Sequence, residues 1–540
     1  MNRFFLVLSQ TFLCVASLIT PFLLFASFQL LGEHTIFFFF IFFVFLSFLA
    51  YLCYLAISKL PLLQQSYIPH YFFIIIVLLN LQKTLNLKIT LNPYQINFIN
   101  SQSIIPGLVF VCLPLFSILA AELFQKNKKY FLILPVVVFL FYQLYATSKP
   151  QTPTSFPTFD TGIKIAAKSL EEKLFFGFGA GRFEDAYRLY KPNKINHTPY
   201  WDSNFTSSSN EYLEILTTFG LSGFLSYFFL ILTLFINSLS AKRFVPALLI
   251  LVVSIVNLFI PPVFSLRLFL FMLLGLSVAP KDNGTHNSTF LFFIPQNLTP
   301  LFGAFYFVLF LTTLLSVGAT IYLISLYAFA EFNFQRSTKV KNPNNIYYFQ
   351  DKAIQLLPQI GKYHLLFSQT SLAYANSIMV LESSPSSQTK KMAGNLLIQA
   401  INEAKKAVDL SPDSQKPLVN AAVLYRNLIG IVPDSRNFSL AFFQKAIQKD
   451  PLNPYLQIQV GNIFLVDNDY ENAYKFFNNA LVLRPGYGLA LYGLAVMEKN
   501  QGQKKEAMKH LADALEDTPV DTKDYMQIKK ELEMLDKETR

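Results

Sequence analysis

Three alanines at one fixed step constrain this chain more than any other feature. Ala446, Ala480 and Ala514 stand 34 residues apart, and Pro451, Pro485 and Pro519 keep the same interval. Ala473 and Ala507 repeat it, and the stretches AFFQKAIQKDPLNP, AYKFFNNALVLRPGY and AMKHLADALEDTPV align on it. A small residue where two helices cross, with a proline closing the second helix, describes a helix pair that cannot bury its apolar face alone. Stacking successive pairs does bury it. A weaker unit, EAKKAVDLSPDS, ends at Pro412, 39 residues before Pro451, which places an insertion near 430–436. Helices near 344–357 and 362–380 are expected to extend the stack toward its start, and 521–537 to cap its end. First-helix residues such as Tyr455, Gln459, Asn462, Leu489 and Tyr492 are expected to line a concave face, with a protein as its partner.

The earlier part of the chain has another character. The whole sequence is 53% hydrophobic and only 14% charged, against about 25% charged for soluble domains. Apolar runs near 4–31, 35–57, 68–81, 104–122, 130–147, 212–240, 244–260, 263–279 and 299–330 read as about nine membrane spans. The first is too long for a secretion signal and lacks a small-residue cleavage site. With Arg3 inside, the inner loops collect Lys59, Lys126, Lys128, Lys129, Lys242, Arg243 and Lys281, as the positive-inside rule requires. Loop 148–211 and everything after residue 330 are then expected on the outer face of a cytoplasmic membrane. The net charge of +11 comes with no basic run or RNA-binding signature, so the lipid bilayer and not nucleic acid is the expected partner. Cys14, Cys53 and Cys112 lie far apart inside apolar runs, which supports neither a disulfide framework nor a metal site. The expected fold is all-α: transmembrane helices over 1–147, an outer loop over 148–211, further spans over 212–330, connecting helices over 331–400 and the helical repeats over 401–540.

The outer loop holds two elements. The first runs Gly177-Phe178-Gly179-Ala180-Gly181-Arg182-Phe183. Alternating glycines permit tight backbone turns and can present amides to an anion. Arg182, Arg188, Lys191 and Lys194 follow closely, and a guanidinium grips phosphate oxygens in pairs. The same glycines also fit a plain turn with solvated cations, and no nucleotide fingerprint is present. The second element is Ser209-Asn210-Glu211-Tyr212-Leu213-Glu214, followed by Phe219-Gly220-Leu221-Ser222-Gly223. Asn210 suits a helix N-cap, and Gly220 and Gly223 suit close helix packing.

The 34-residue step is the signature of tetratricopeptide repeats. The loop elements together resemble the O-antigen ligase and O-antigen polymerase superfamily of membrane glycosyltransferases, over about residues 100–280. The matching residues are Gly177, Gly179, Gly181 and Phe183, then Asn210, Tyr212 and Leu213, then Gly220, Leu221 and Gly223. The resemblance implies transfer of a glycan from an undecaprenyl-diphosphate carrier to an acceptor, with no metal or nucleotide cofactor. It implies that Arg182 and Arg188 steady the departing diphosphate, where charge builds in the transition state, and that a loop histidine assists the acceptor hydroxyl. Ser209 stands where the family carries histidine; His197, the only loop histidine, is the expected stand-in, with Glu184, Asp185, Asp202 and Glu211 as other candidate bases. Gly177, Gly179, Gly181, Lys191, Asn210, Glu211 and Tyr212 are the expected substrate-binding residues. A second expectation stands beside the enzyme. Ser209 and the few helices before the loop suit a non-catalytic, membrane-anchored scaffold whose repeats organise a cell-envelope assembly.

Overall fold

Helices make up the regular structure of this computed structural model, which describes residues 156–240, 243–278, 299–381, 386–520 and 522–539, with short stretches at 8–9, 11–12, 41–52, 70, 73–74 and 113–114. The chain divides into two units. One takes the described residues up to Glu184 together with Phe205–Ile360; the other joins Asp185–Asn204 to Gly361–Arg540. The 148–211 loop contributes residues to both units. Of the helices expected to extend the stack toward its start, the one over Gly361–Leu381 falls in the second unit and the one over Pro343–Leu356 in the first.

The first unit contains α1 (Phe159–Lys173), the start of α2 (Phe183–Tyr190), α3 (Glu211–Ser240), α4 (Phe244–Val256), α5 (Phe264–Val278), α6 (Thr299–Lys339) and α7 (Pro343–Leu356). Helices α3, α4 and α5 contact one another, and Tyr227, Leu230, Leu234, Phe271 and Leu274 fill the space between them. Two helices among the described residues are long and apolar enough to cross a membrane, α3 and the Phe310–Lys339 part of α6. The expected spans near 4–31, 68–81, 104–122 and 130–147 lie largely outside the described residues, and of the one near 35–57 the helix Ile41–Leu52 is described.

The expectation of about nine spans is corrected most clearly at 244–260 and 263–279. Helix α4 stops at Val256, at a length of about 20 Å against a hydrocarbon core of about 30 Å. It stops because Leu258, Phe259 and Ile260 turn back on Ile255 and Val256, and Pro261-Pro262 follow. Helix α5 has an apolar stretch of only Leu266–Gly275. Over that stretch Leu266, Leu268, Phe271, Leu273 and Leu274 are buried within the unit, so composition alone does not separate this helix from a span.

Helix α3 is broken at Gly220, which has φ 66° and ψ −164°, a region that side chains exclude. The glycine element docks on this break. Phe178 and Gly179 donate their amides to the Thr217 and Thr218 carbonyls at 3.0 and 2.7 Å, and Leu221 and Ser222 return amides to Leu174 and Phe175 at 2.8 and 3.2 Å. The approach is so close that a Cβ on Gly177 would lie 2.5 Å from the Thr217 carbonyl oxygen. One on Gly220 would lie 2.7 Å from the Gly177 nitrogen. The stretch from Leu221 to Ser240 then runs on for about 30 Å.

The second unit is a stack of antiparallel pairs: α8 (Gly361–Leu381) with α9 (Ser387–Leu410), α10 (Gln415–Asn427) with α11 (Ser435–Lys449), α12 (Pro454–Val466) with α13 (Tyr470–Leu483), and α14 (Gly488–Asn500) with α15 (Lys504–Asp517). Helix α16 (Lys523–Thr539) caps it against α15. Ala446, Ala473, Ala480, Ala507 and Ala514 are fully buried where the helices meet. Pro412, Pro451, Pro485 and Pro519 each sit two residues beyond the end of a second helix, where proline cannot continue it. The expected insertion is the turn Leu428–Asp434, which uses left-handed backbone at Gly430 and Asp434. A further set keeps the same step: Phe443, Phe477 and Leu511 are all buried second-helix residues. The Phe477 ring fills the space beside Gly461 and Gly493, where an added Cβ would come within 2.7 and 2.6 Å of it.

Candidate functional site

The segment Asp185–Asn204 folds into the repeat unit as its own short structure. Pro192 follows α2, and Asn193–His197 form a 3-10 turn that Thr198 closes by donating to the Ile195 carbonyl. The turn places Arg188, Lys191, Asn196 and Trp201 against three successive helix pairs. Lys191 Nζ lies 3.0 Å from Asp450 Oδ1, and Arg188 lies 3.7 Å from Oδ2. Arg188 also donates to the side-chain oxygen of Gln415 at the start of α10. Asn196 donates to the Leu452 carbonyl at 2.7 Å. Trp201 meets Tyr487 edge-on at 5.0 Å, and the Arg484 guanidinium lies 4.6 Å from the Trp201 ring. Arg484 is itself fixed by Asp517 at 2.8 Å.

Burial makes these contacts consequential. The side chains of Arg188, Lys191 and Asp450 are 6%, 5% and 2% exposed. One carboxylate therefore answers two buried cations, and taking Asp450 away strands both in a poorly solvated place. Burial, then the Asp450 charge, pushes the Tyr187 phenol well above its ordinary value. Beside the docked segment a cavity of about 780 Å³ remains, lined by Lys191 and Trp201 with Leu372, Asn376, Val423 and Asn427. Asn376 and Asn427 are exposed. Each amide offers a donor and an acceptor, which suits the backbone of an extended polypeptide.

The expected site residues thus separate into groups. Arg188 and Lys191, expected to meet a diphosphate, have their charge met by Asp450. His197 is exposed on the 3-10 turn. Arg182 is half-buried just before α2, and its amide bonds the Gly179 carbonyl. Gly177 donates its amide to the Lys173 carbonyl and Gly179 donates to Thr218 in the break of α3, so neither amide is presented to an anion, and Gly181 takes the left-handed backbone that glycine permits. Asn210 caps α3 by accepting from the Leu213 amide at 2.8 Å and donates to the Leu258 carbonyl. Glu211 is buried and receives the Arg267 Nε at 2.7 and 2.8 Å on its two oxygens. The Tyr212 hydroxyl donates to the Ser254 carbonyl.

Among the expected concave-face residues, Tyr455 is exposed and lines the cavity. Gln459 is buried and bonded by Arg426. Asn462 and Leu489 are half-buried. Tyr492 is engaged by the cap helix through Glu531 and Gln527; burial and then Glu531 push its phenol up to about 12. Asp450, Gln415, Trp201, Arg484 and Tyr487 were not singled out in the sequence. The one available signal was that Trp201 is the sole tryptophan of the chain. No group of three His, Cys, Asp or Glu side chains is placed to hold a metal among the described residues.

No family model and no curated protein matches this chain. Solved structures of tetratricopeptide proteins do resemble part of it. TTC0263, a thermophilic tetratricopeptide protein from Thermus thermophilus, is 16% identical, with 38% of this chain and 98% of that one covered and a TM-score of 0.30. MamA is 17% identical over 32% and 88%, at 0.23. YrrB, described as a tetratricopeptide protein with an unusual peptide-binding site, is 16% identical over 38% and 91%, at 0.25. The repeat solenoid itself rests on the stacked pairs and the 34-residue step of the residues between them.

Proposed function

We propose that this chain is a membrane-anchored scaffold whose repeat solenoid holds a protein partner, on the outer face of the cytoplasmic membrane. The cavity beside the docked segment carries this reading: exposed amides and apolar side chains share one recess, as polypeptide recognition requires. Anchoring is supported by the large apolar side chains left exposed on α3, α4 and α6, among them Phe229, Phe244, Val245, Leu248, Phe307 and Leu315. Apolar surface on this scale is costly in water and is what lipid covers.

A second reading, glycan transfer from a polyprenyl diphosphate, draws on one observation. The glycine element and the broken helix, which together carry the resemblance to O-antigen ligases, pack directly on each other. The burial of Arg188 and Lys191 against Asp450 weighs against it.

One experiment separates the readings. Photo-crosslinking residues are placed at Asn427, in the cavity, and at Val482, which is 68% exposed outside it, in the full chain in native membranes. Glycan transfer is assayed in the same membranes with wild type and Arg182→Ala. The scaffold reading expects a discrete protein adduct from position 427, none from 482, and no transfer dependent on Arg182. Transfer abolished by Arg182→Ala at normal abundance, without a position-dependent adduct, would establish the enzyme instead.

A further inference from the structure

The docked segment shows what the repeat groove recognises. We propose that the groove is a recognition site for a basic–aromatic polypeptide segment folded as the end of a helix and a 3-10 turn: two cations three residues apart and an aromatic ring ten residues further on. In this chain Arg188, Lys191 and Trp201 supply that pattern as a resident copy, which a partner protein bearing the same pattern displaces. The proposal rests on the scaffold reading and names the chemistry of its partner.

Three observations carry it. Asp450 is almost fully buried and meets two cations, so an occupant that brings no positive charge leaves that carboxylate without a counter-charge, with Asn453 Nδ2 as a neutral donor at 3.0 Å. A diphosphate or another anion would face it with like charge, which turns the groove against anionic ligands. The second anchor is Tyr487 with Arg484, held by Asp517, which accepts an aromatic edge and stacks a cation on its ring. Between the anchors, Asn196 bonds the Leu452 carbonyl, a backbone contact open to any side chain with an amide. Charge at one end, an aromatic at the other and a main-chain contact between them make a linear-motif site. The resident copy is tethered, so it acts at an effective concentration in the millimolar range. A partner must exceed that, and the groove therefore discriminates between partners presented locally at high density and stray peptides.

The test uses a fluorescein-labelled synthetic peptide spanning residues 185–204 and the full-length chain. In one variant the resident copy is disabled by Arg188→Ala, Lys191→Ala and Trp201→Ala together. A second variant keeps every native side chain but carries protease sites on both sides of the segment, so that cutting frees it to exchange. The emptied and the cut chains are expected to bind the peptide at least roughly tenfold more tightly than wild type. Carrying Arg188→Ala and Lys191→Ala in the peptide, or Asp450→Asn in the emptied chain, should remove that binding. Equal binding to wild type and emptied chains, binding indifferent to Asp450, or no binding to either opened chain would overturn the proposal. Because the probe is the chain's own sequence, these outcomes stand apart from whether position 427 captures a partner in membranes.

Discussion

Asp450→Ala is expected to destabilise the repeat unit by about 3–5 kcal/mol, because it leaves Arg188 and Lys191 buried without a counter-charge. The loss should be local. Repeat pairs interact with their neighbours only, so hydrogen exchange should accelerate in Asp185–Asn204 and at the ends of α10, α11 and α12 before it does in α14 to α16. The sign of a second step is more diagnostic than the size of the first. Adding Arg188→Met and Lys191→Met to Asp450→Ala removes the stranded charges while keeping apolar volume, and should restore much of the lost stability. A triple variant no more stable than Asp450→Ala would show that the cations are solvated and the pairing inconsequential.

Phe477→Ala should cost a comparable amount, about 3–5 kcal/mol, through an unfilled cavity between α12 and α14. The ring is fully buried, and it occupies the space that side chains at Gly461 and Gly493 would otherwise claim. This geometry makes a coupled prediction. Gly493→Ala should be destabilising while the ring is present, and milder once Phe477 is alanine, because the new methyl then enters the vacated space. Thermal unfolding of the four chains in a double-mutant cycle reads the coupling. Additive effects would mean that the ring and the glycines do not share that volume.

Sequence made the repeat solenoid legible because its constraint is local and recurs. A small residue at each helix crossing and a proline after each second helix report the same packing several times over. The Phe443, Phe477, Leu511 series carries equal information, but phenylalanine is so abundant in this chain that its spacing does not stand out. The glycine element was legible as a tight backbone and not by its destination. Its amides bond carbonyls that Gly220 frees about 40 residues later, and backbone pairing at that separation leaves no mark in residue type. The partner of the cations was hidden for a similar reason. Arg188 and Lys191 sit in a polar loop that looks solvated, and their counter-charge, Asp450, lies far along the chain in a turn between two repeats. Span counting failed where α5 hides its leucines against α3 and α4, since burial in protein and burial in lipid draw on the same side chains.

Asp185–Asn204 occupies the repeat groove, and the chain carries its own reporter of that docking. Trp201 is the only tryptophan, so the intrinsic fluorescence of the full-length protein reads that one position. With the half-buried ring docked against Tyr487 and Arg484 at the edge of the cavity, emission should lie to the blue of a solvated indole and be partly shielded from acrylamide, and Asp450→Ala should move it toward that of a solvated indole. Wild-type emission already characteristic of water-exposed tryptophan, unchanged by Asp450→Ala, would contradict the docked segment.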